Sequence, residues 1–235
     1  MSASSPVKPE FSHLVELTYE AFSVTRQAAA AAAEGIATTS AAVLATVRER
    51  EKQLDALDRD IDDLVTTTIT KVTEAEAREL LACMKFAISM ERIGDLLLGF
   101  CNRAETTASK MDVQDAKDLT MMTSQLERML ADVEEAFRSR NLDRAVAVLR
   151  ADAELDRLRN VMMFRHLEPS NGDRRLESFH VLFMAQEIER AGDHAKNMAE
   201  EVCHLVSGRT VRHVLRSYDR PVEQLFLDHL RKQEP

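Results

Sequence analysis

Apolar side chains recur every three to four residues along nearly the whole chain, and no stretch sustains period-two alternation with β-branched residues. That rhythm belongs to helices with one buried face. The first stripe runs through Phe11, Leu14, Val15, Leu17 and Phe22 and is continued by six alanines, Ala28–Ala33. Gly35 followed by Thr38–Ser40 marks a break or weak point. A second helix is expected over about 41–71, with Val43, Leu44, Val47, Leu54, Leu57, Ile61, Leu64 and Val65 on its apolar side. Thr73 and Glu76 match a capping box, which restarts the chain as a third helix reaching about Ala104 through Leu80, Leu81, Met84, Ile88, Leu96 and Leu97.

A fourth helix is expected from Val113 to Arg140, carrying Leu119, Met122, Leu126, Met129, Leu130, Val133 and Phe137. Asn141 offers a cap for a fifth, through Leu142, Val146, Leu149, Leu155, Leu158 and Met162. Glu168-Pro-Ser-Asn-Gly172 reads as a loop. The sixth helix runs from about Arg174 to Val206 and stops at Gly208. A short last helix begins at Pro221 and carries Val222, Leu225, Phe226 and Leu230. The expectation is an all-α fold of two tandem three-helix bundles related by a pseudo-twofold duplication. They span residues 10–107 and 112–208, followed by a basic tail with a short helix over 209–235.

Composition agrees with this. The chain has 235 residues, enough for a sizeable core, yet only 6 Gly and 5 Pro, which leaves few turns and favours long helices. A formal charge of −9 disfavours nucleic acid and anionic lipid as partners and makes an exposed cation site plausible. The opening MSASSPVKPEF has no cationic start followed by an apolar core, so no secretory leader is expected. No run of 18 uncharged apolar residues is present to span a membrane. Cys83, Cys101 and Cys203 are odd in number, form no CxxC, and sit in apolar helical stretches. Free buried thiols are the expectation.

The duplication is written in the acids. Residues 84–95 end in Glu91-Arg92-Ile93-Gly94-Asp95, and residues 182–193 end in Glu189-Arg190-Ala191-Gly192-Asp193. Each Glu and Asp are four apart and share one helix face. The middle helix of each half adds a pair at the same spacing, Asp58 with Asp62 and Asp152 with Asp156. Aligned on these acids, the halves are offset by 94 residues in the middle helix (152 − 58) and by 98 in the third (189 − 91). Four carboxylates would meet across each helix–helix groove. Two like charges at ~4 Å cost ~4 kcal/mol even at an effective dielectric of ~20. A cation relieves that cost, and carboxylate ligation suits Mg, Ca, Mn and iron. The competing arrangement is an ion-pair network with Arg59, Arg92, Arg157 and Arg190. Gly94 and Gly192, each ~1 kcal/mol worse than Ala inside a helix, mark places where a neighbouring helix or a metal approaches the backbone. His194, beside Asp193, either joins such a cluster or points outward or caps.

At these residues the chain resembles the PhoU family of phosphate-uptake regulators, whose hallmark is a repeated E(D)xxxD motif within Leu-Glu-Arg-Ile-Gly-Asp. RNLDRAVAVLRADAELDRL (140–158), the stretch 168–200 and GRTVRH (208–213) are similar to the family's second half, and Phe11, Leu14 and Leu17 to its opening helix. The resemblance covers about residues 10–215. It departs from the family in its alanine-rich first helix, in Thr73–Leu80 ahead of the third helix, and in Ala191 where Ile is common. It implies metal ions, iron or in some members zinc, on the eight acids Asp58, Asp62, Glu91, Asp95, Asp152, Asp156, Glu189 and Asp193. It also implies a cytoplasmic, non-enzymatic regulator, often a homodimer, that links a phosphate ABC transporter to a sensor histidine kinase and represses the phosphate-starvation response. Such a protein meets the membrane only through its partners.

Two rival readings remain at this stage. A metal-free helical interaction scaffold would use the same helices without a cation. A ferritin-like di-iron protein would need Glu-x-x-His from facing helices. Glu177-x-x-His180 and Glu201-x-x-His204 lie on one helix, 24 residues or about 36 Å apart. No P-loop, Gly-rich nucleotide fingerprint or nucleophile–base pair is visible, and the 11 methionines at helical spacing read as core filler.

Overall fold

The computed structural model describes residues 9–167 and 175–208. Six long helices account for nearly all of them: α1 (Pro9–Thr38), α2 (Ala41–Thr68), α3 (Glu74–Thr107), α4 (Val113–Ser139), α5 (Leu142–Leu167) and α6 (Arg175–Ser207), with short 3₁₀ turns at Ile69–Lys71 and Ala108–Lys110. No strand forms among the described residues. The loop expected at Glu168–Gly172 and the last helix expected from Pro221 lie outside the described residues.

The helix ends are set by local chemistry. Ser40 and Asp112 cap α2 and α4 through side-chain oxygens that accept from the Val43 and Gln114 amides at 3.4 and 2.8 Å. Thr73 and Glu76 close the expected capping box: the Thr73 amide donates to Glu76 Oε2 at 2.8 Å, and the Glu76 amide donates to Thr73 Oγ1 at 3.4 Å. Asn141 Oδ1 accepts from the Arg144 amide at the head of α5. Gly208, at φ +70°, ends α6 as expected. The break expected over Gly35 and Thr38–Ser40 falls at Thr39, whose φ is +51°. Gly35 lies inside α1, and Leu44 of α2 packs against its backbone where a Cβ would stand 2.5 Å away.

Each set of three consecutive helices packs as a bundle. α1 lies along α4 and α3 along α6, which joins the halves, while α2 and α5 pack chiefly within their own half. The buried alanines of α1 let its neighbours come close. Phe86 of α3 packs with its ring tilted against Phe22 of α1 at 5.7 Å and edge-on against Phe137 of α4 at 5.0 Å. One apolar core therefore runs through both halves. Ion pairs flank the seam: Arg26 with Glu127 and Glu134, each at 3.0 Å, Lys85 with Glu201 at 2.8 Å, and Arg103 with Glu187 at 3.2 Å. Leu81 and Ile88, read as stripe residues of the third helix, are each 45% exposed. The buried face of α3 is instead set by Leu80, Cys83, Phe86, Ala87, Met90 and Ile93, and the other two lie at its edge.

Candidate metal centre

The acidic faces lie where α3 crosses α2 and α6 crosses α5. The motif glycines set the depth of each crossing. A Cβ built on Gly94 would stand 2.8 Å from Leu54 Cδ1 and 3.9 Å from Glu51 Cα. One built on Gly192 would stand 2.5 Å from Leu155 Cδ1 and 3.8 Å from Asp152 Oδ1. Of the two explanations for these glycines, a neighbouring helix is the one the packing displays.

These contacts also correct the register of the duplication. Leu54 is the counterpart of Leu155, an offset of 101 (155 − 54) rather than 94. The buried positions Leu44, Val47, Leu57 and Ile61 map at the same offset onto the buried Ala145, Val148, Leu158 and Met162, and the start of α2 at Ala41 maps onto the start of α5 at Leu142. The structural counterparts of Asp152 and Asp156 are therefore Glu51 and Asp55, two turns before the Asp58 and Asp62 that spacing alone aligned with them. Asp58 falls opposite Arg159. On α3 and α6 the offset of 98 holds, pairing Glu91 with Glu189, Asp95 with Asp193, and Leu98 with Lys196.

The first face gathers Glu51, Asp55, Asp58, Glu91 and Asp95. Burial pushes the Glu91 carboxyl above its usual range, and Asp95, Asp58 and Asp55 push it further while Arg92 opposes. Glu51 is raised by burial and by Asp55 and Asp95. Asp58 is raised by burial, Asp62 and Asp55, with Arg92 and Arg59 opposing. Asp62 sits beside Asp58, one turn further along α2, where both line a shallow hollow with Arg59, Met84 and Ile88. The nearest counter-charge is Arg92, at 3.3 Å from Glu91 and 3.4 Å from Asp95, but its side chain is 59% exposed. Arg59 donates to the backbone carbonyl of Asp55.

The second face gathers Asp152, Asp156, Glu189 and Asp193, and it carries cations of its own. Lys196 donates to Asp152. Arg159 stands 3.5 Å from both Asp156 and Glu189. Gln186 donates to Glu189. Burial raises Asp152, with Lys196 opposing and Asp193 and Asp156 adding to the rise. Burial also raises Glu189, with Arg159 opposing and Asp193 and Asp156 adding. Burial alone would lower Lys196, but its hydrogen bond to Asp152 and the nearby acids carry it above the ordinary lysine value. Of the arginines read as counter-ions, Arg157 pairs with Glu154 instead. His194 is pushed down by burial and by Arg190.

The donor chemistry of both faces is that of a hard-cation site. Among the described residues, no three His, Cys, Asp or Glu side chains are arranged to hold a metal ion. On the first face, the carboxylates of Asp55, Asp58 and Asp95 lie near enough to Glu91 to raise it, and Arg92 is the cation paired with Glu91 and Asp95. On the second, two protein cations already sit on the oxygens. The Glu-x-x-His pairs do not make a site between helices: Glu201 pairs with Lys85, and Glu177 lies 4.0 Å from Lys110.

Sequence reasoning missed Glu51, Asp55, Arg159 and Lys196. It also missed a buried cluster joining α4 to α5 and α6. There Arg165 donates to Asp115 at 2.8 Å and Asp118 at 2.5 Å, and His166 bridges Asp115 and Ser178 at 3.1 and 2.9 Å.

The chain is similar to known proteins along most of its length. The family model of the PhoU domain matches it twice, over residues 18–104 and 119–202. It is 29% identical over 182 residues to a "Phosphate-specific transport system accessory protein PhoU homolog" of Pseudomonas putida, covering 72% of this chain and 68% of that one. It is 27% identical over 198 residues to PhoU homolog 1 of Thermotoga maritima, covering 80% and 83%. Its fold superposes on the crystal structure of PhoU from Pseudomonas aeruginosa with a TM-score of 0.80 at 22% identity, covering 85% of this chain and 98% of that one. For the phosphate transport system regulatory protein PhoU from Streptococcus pneumoniae the values are 0.78, 16%, 86% and 97%.

Proposed function

This chain belongs to the PhoU family, and from that membership we propose that it regulates phosphate uptake as an accessory protein of a phosphate transport system. It represses the phosphate-starvation response when phosphate is plentiful. It acts by binding, through contacts with a phosphate ABC transporter and a sensor histidine kinase, and has no turnover of its own. Carried over from the same resemblance, the assembly is a homodimer. The single observation that carries the reading is the match of the PhoU domain to both halves. Among the described residues no helix is long and apolar enough to cross a membrane, in keeping with a protein that reaches the transporter by docking.

The acidic faces are the metal-binding part of this proposal. Glu51, Asp55, Asp58, Glu91 and Asp95 would hold a hard cation, with Asp62 next to them. Asp152, Asp156, Glu189 and Asp193 are their counterparts in the second half. A bound cation would supply positive charge that cancels repulsion among these carboxylates. Deleting the gene should derepress a phosphate-starvation reporter in phosphate-rich medium, and the wild-type chain should restore repression. Normal uptake and normal reporter expression in the deletion strain, at both high and low phosphate, would overturn the regulatory reading.

A further inference from the structure

The two acidic faces are unequal in a way that follows the corrected register. Where the first face has Asp58, the second has Arg159, and where the first has Leu98, the second has Lys196. The second face thus loses one carboxylate and gains two cations. Both are held inside it. Lys196 is bonded to the buried Asp152, and the Arg159 guanidinium is shared between Asp156 and Glu189 at 3.5 Å. Three of the four acids are engaged this way. The first face offers five carboxylates against Arg92, whose pairs are longer than 3.2 Å and open to water, with Arg59 also acting on Asp58 and Lys52 on Glu51.

We propose that Lys196 and Arg159 are built-in counter-cations that close the second acidic face to metal, leaving the first face as the cation-binding one. A divalent ion entering the second face would have to displace two charges whose side chains are packed between α5 and α6, and would then lie beside them. An ion entering the first face displaces the exposed Arg92 guanidinium from Glu91 and Asp95. The inference rests on the metal-binding reading above and restricts it to one half.

The test uses the full chain and Mn²⁺ alone, with bound metal read by equilibrium dialysis and elemental analysis. Wild-type protein should lose its bound Mn²⁺ in the pair Asp55→Asn/Asp95→Asn and keep its full metal content in Asp156→Asn/Asp193→Asn. The pair Arg159→Asp/Lys196→Leu, which installs the first-half residues, should gain a second equivalent at least tenfold tighter than any second-face binding in the wild type. Lys196→Gln is the milder form, expected to gain binding in the same direction should the pair fail to fold. If Asp156→Asn/Asp193→Asn halves the wild-type metal content, the second face is open and the inference falls while the metal reading stands. If wild type binds no Mn²⁺ but Arg159→Asp/Lys196→Leu does, the closing role of Lys196 and Arg159 stands, while the cation-binding first face and the metal reading of the natural chain fall. If neither protein nor Lys196→Gln binds Mn²⁺, both are overturned.

Discussion

Leu54 and Leu155 occupy the same place in the two halves, each laid across the motif glycine of the neighbouring helix. The contact is tighter in the second half, at 2.5 Å against 2.8 Å for the Cβ that glycine lacks.

Gly192→Ala should therefore destabilise the chain more than Gly94→Ala. Overpacking costs about 1–3 kcal/mol, while replacing a helical glycine returns ~1 kcal/mol. A net loss of about 1 kcal/mol is expected for Gly192→Ala and a smaller one for Gly94→Ala, read from urea midpoints at unchanged slope. Equal or reversed losses would refute the packing account.

In the metal-free protein the raised carboxyls should add stability as pH falls toward the ordinary carboxylate range, against an opposite contribution from His194, whose imidazole is pushed down. Glu51, Asp58, Glu91, Asp152 and Glu189 all have folded-state pKa values above their ordinary ones. In that window the folded chain binds protons that the unfolded chain does not, so stability falls as pH rises through the folded values. Thermal melts in chelator should show this slope. Asp58→Asn should melt above wild type at pH 7, with the gap narrowing at pH 5. A gap that widens on acidification would contradict the sign.

Cys83, Cys101 and Cys203 should resist thiol reagents in the folded protein. All three are free and buried, and burial pushes each thiol up to about 12. At pH 8 almost no thiolate is present. Labelling with a chromogenic disulfide should be slow in buffer and reach three thiols per chain in guanidinium. Rapid native labelling of any one would place it at the surface.

Arg165→Met should cost about 1–3 kcal/mol, because Asp115 and Asp118 are left buried with an uncompensated charge. Adding Asp115→Asn and Asp118→Asn should recover part of that loss, as a chemical denaturation series would reveal. If the triple variant is less stable than the single one, the cost lies in packing.

How far the sequence could be read depended on which signal marked each helix. The apolar stripes of α4 and α5 and the Thr73–Glu76 box were legible because each depends on local spacing. The Glu91 and Glu189 motifs were legible because five residues repeat together. The acids of α2 were not, because Glu51, Asp55, Asp58 and Asp62 offer several pairs four apart and charge spacing cannot choose among them. Burial chooses. Aligning Leu54, Leu57 and Ile61 with Leu155, Leu158 and Met162 would have found the register from the sequence itself. Lys196 and Arg159 carried no local signal, since their partners come from another helix or from another turn of their own.

Phe86, clasped between Phe22 and Phe137, has a consequence for how the chain can come apart. Its ring closes a core shared by the two halves, so severing the chain near residue 110 would part Phe137 from Phe22 and Phe86. Such a fragment would meet water with the face its sister used to cover, and the readiest cover for it is another fragment like itself. The full-length chain is in this sense a pair of like units fastened by a covalent tether. It should melt in one step, because the interior of each unit is completed by the other.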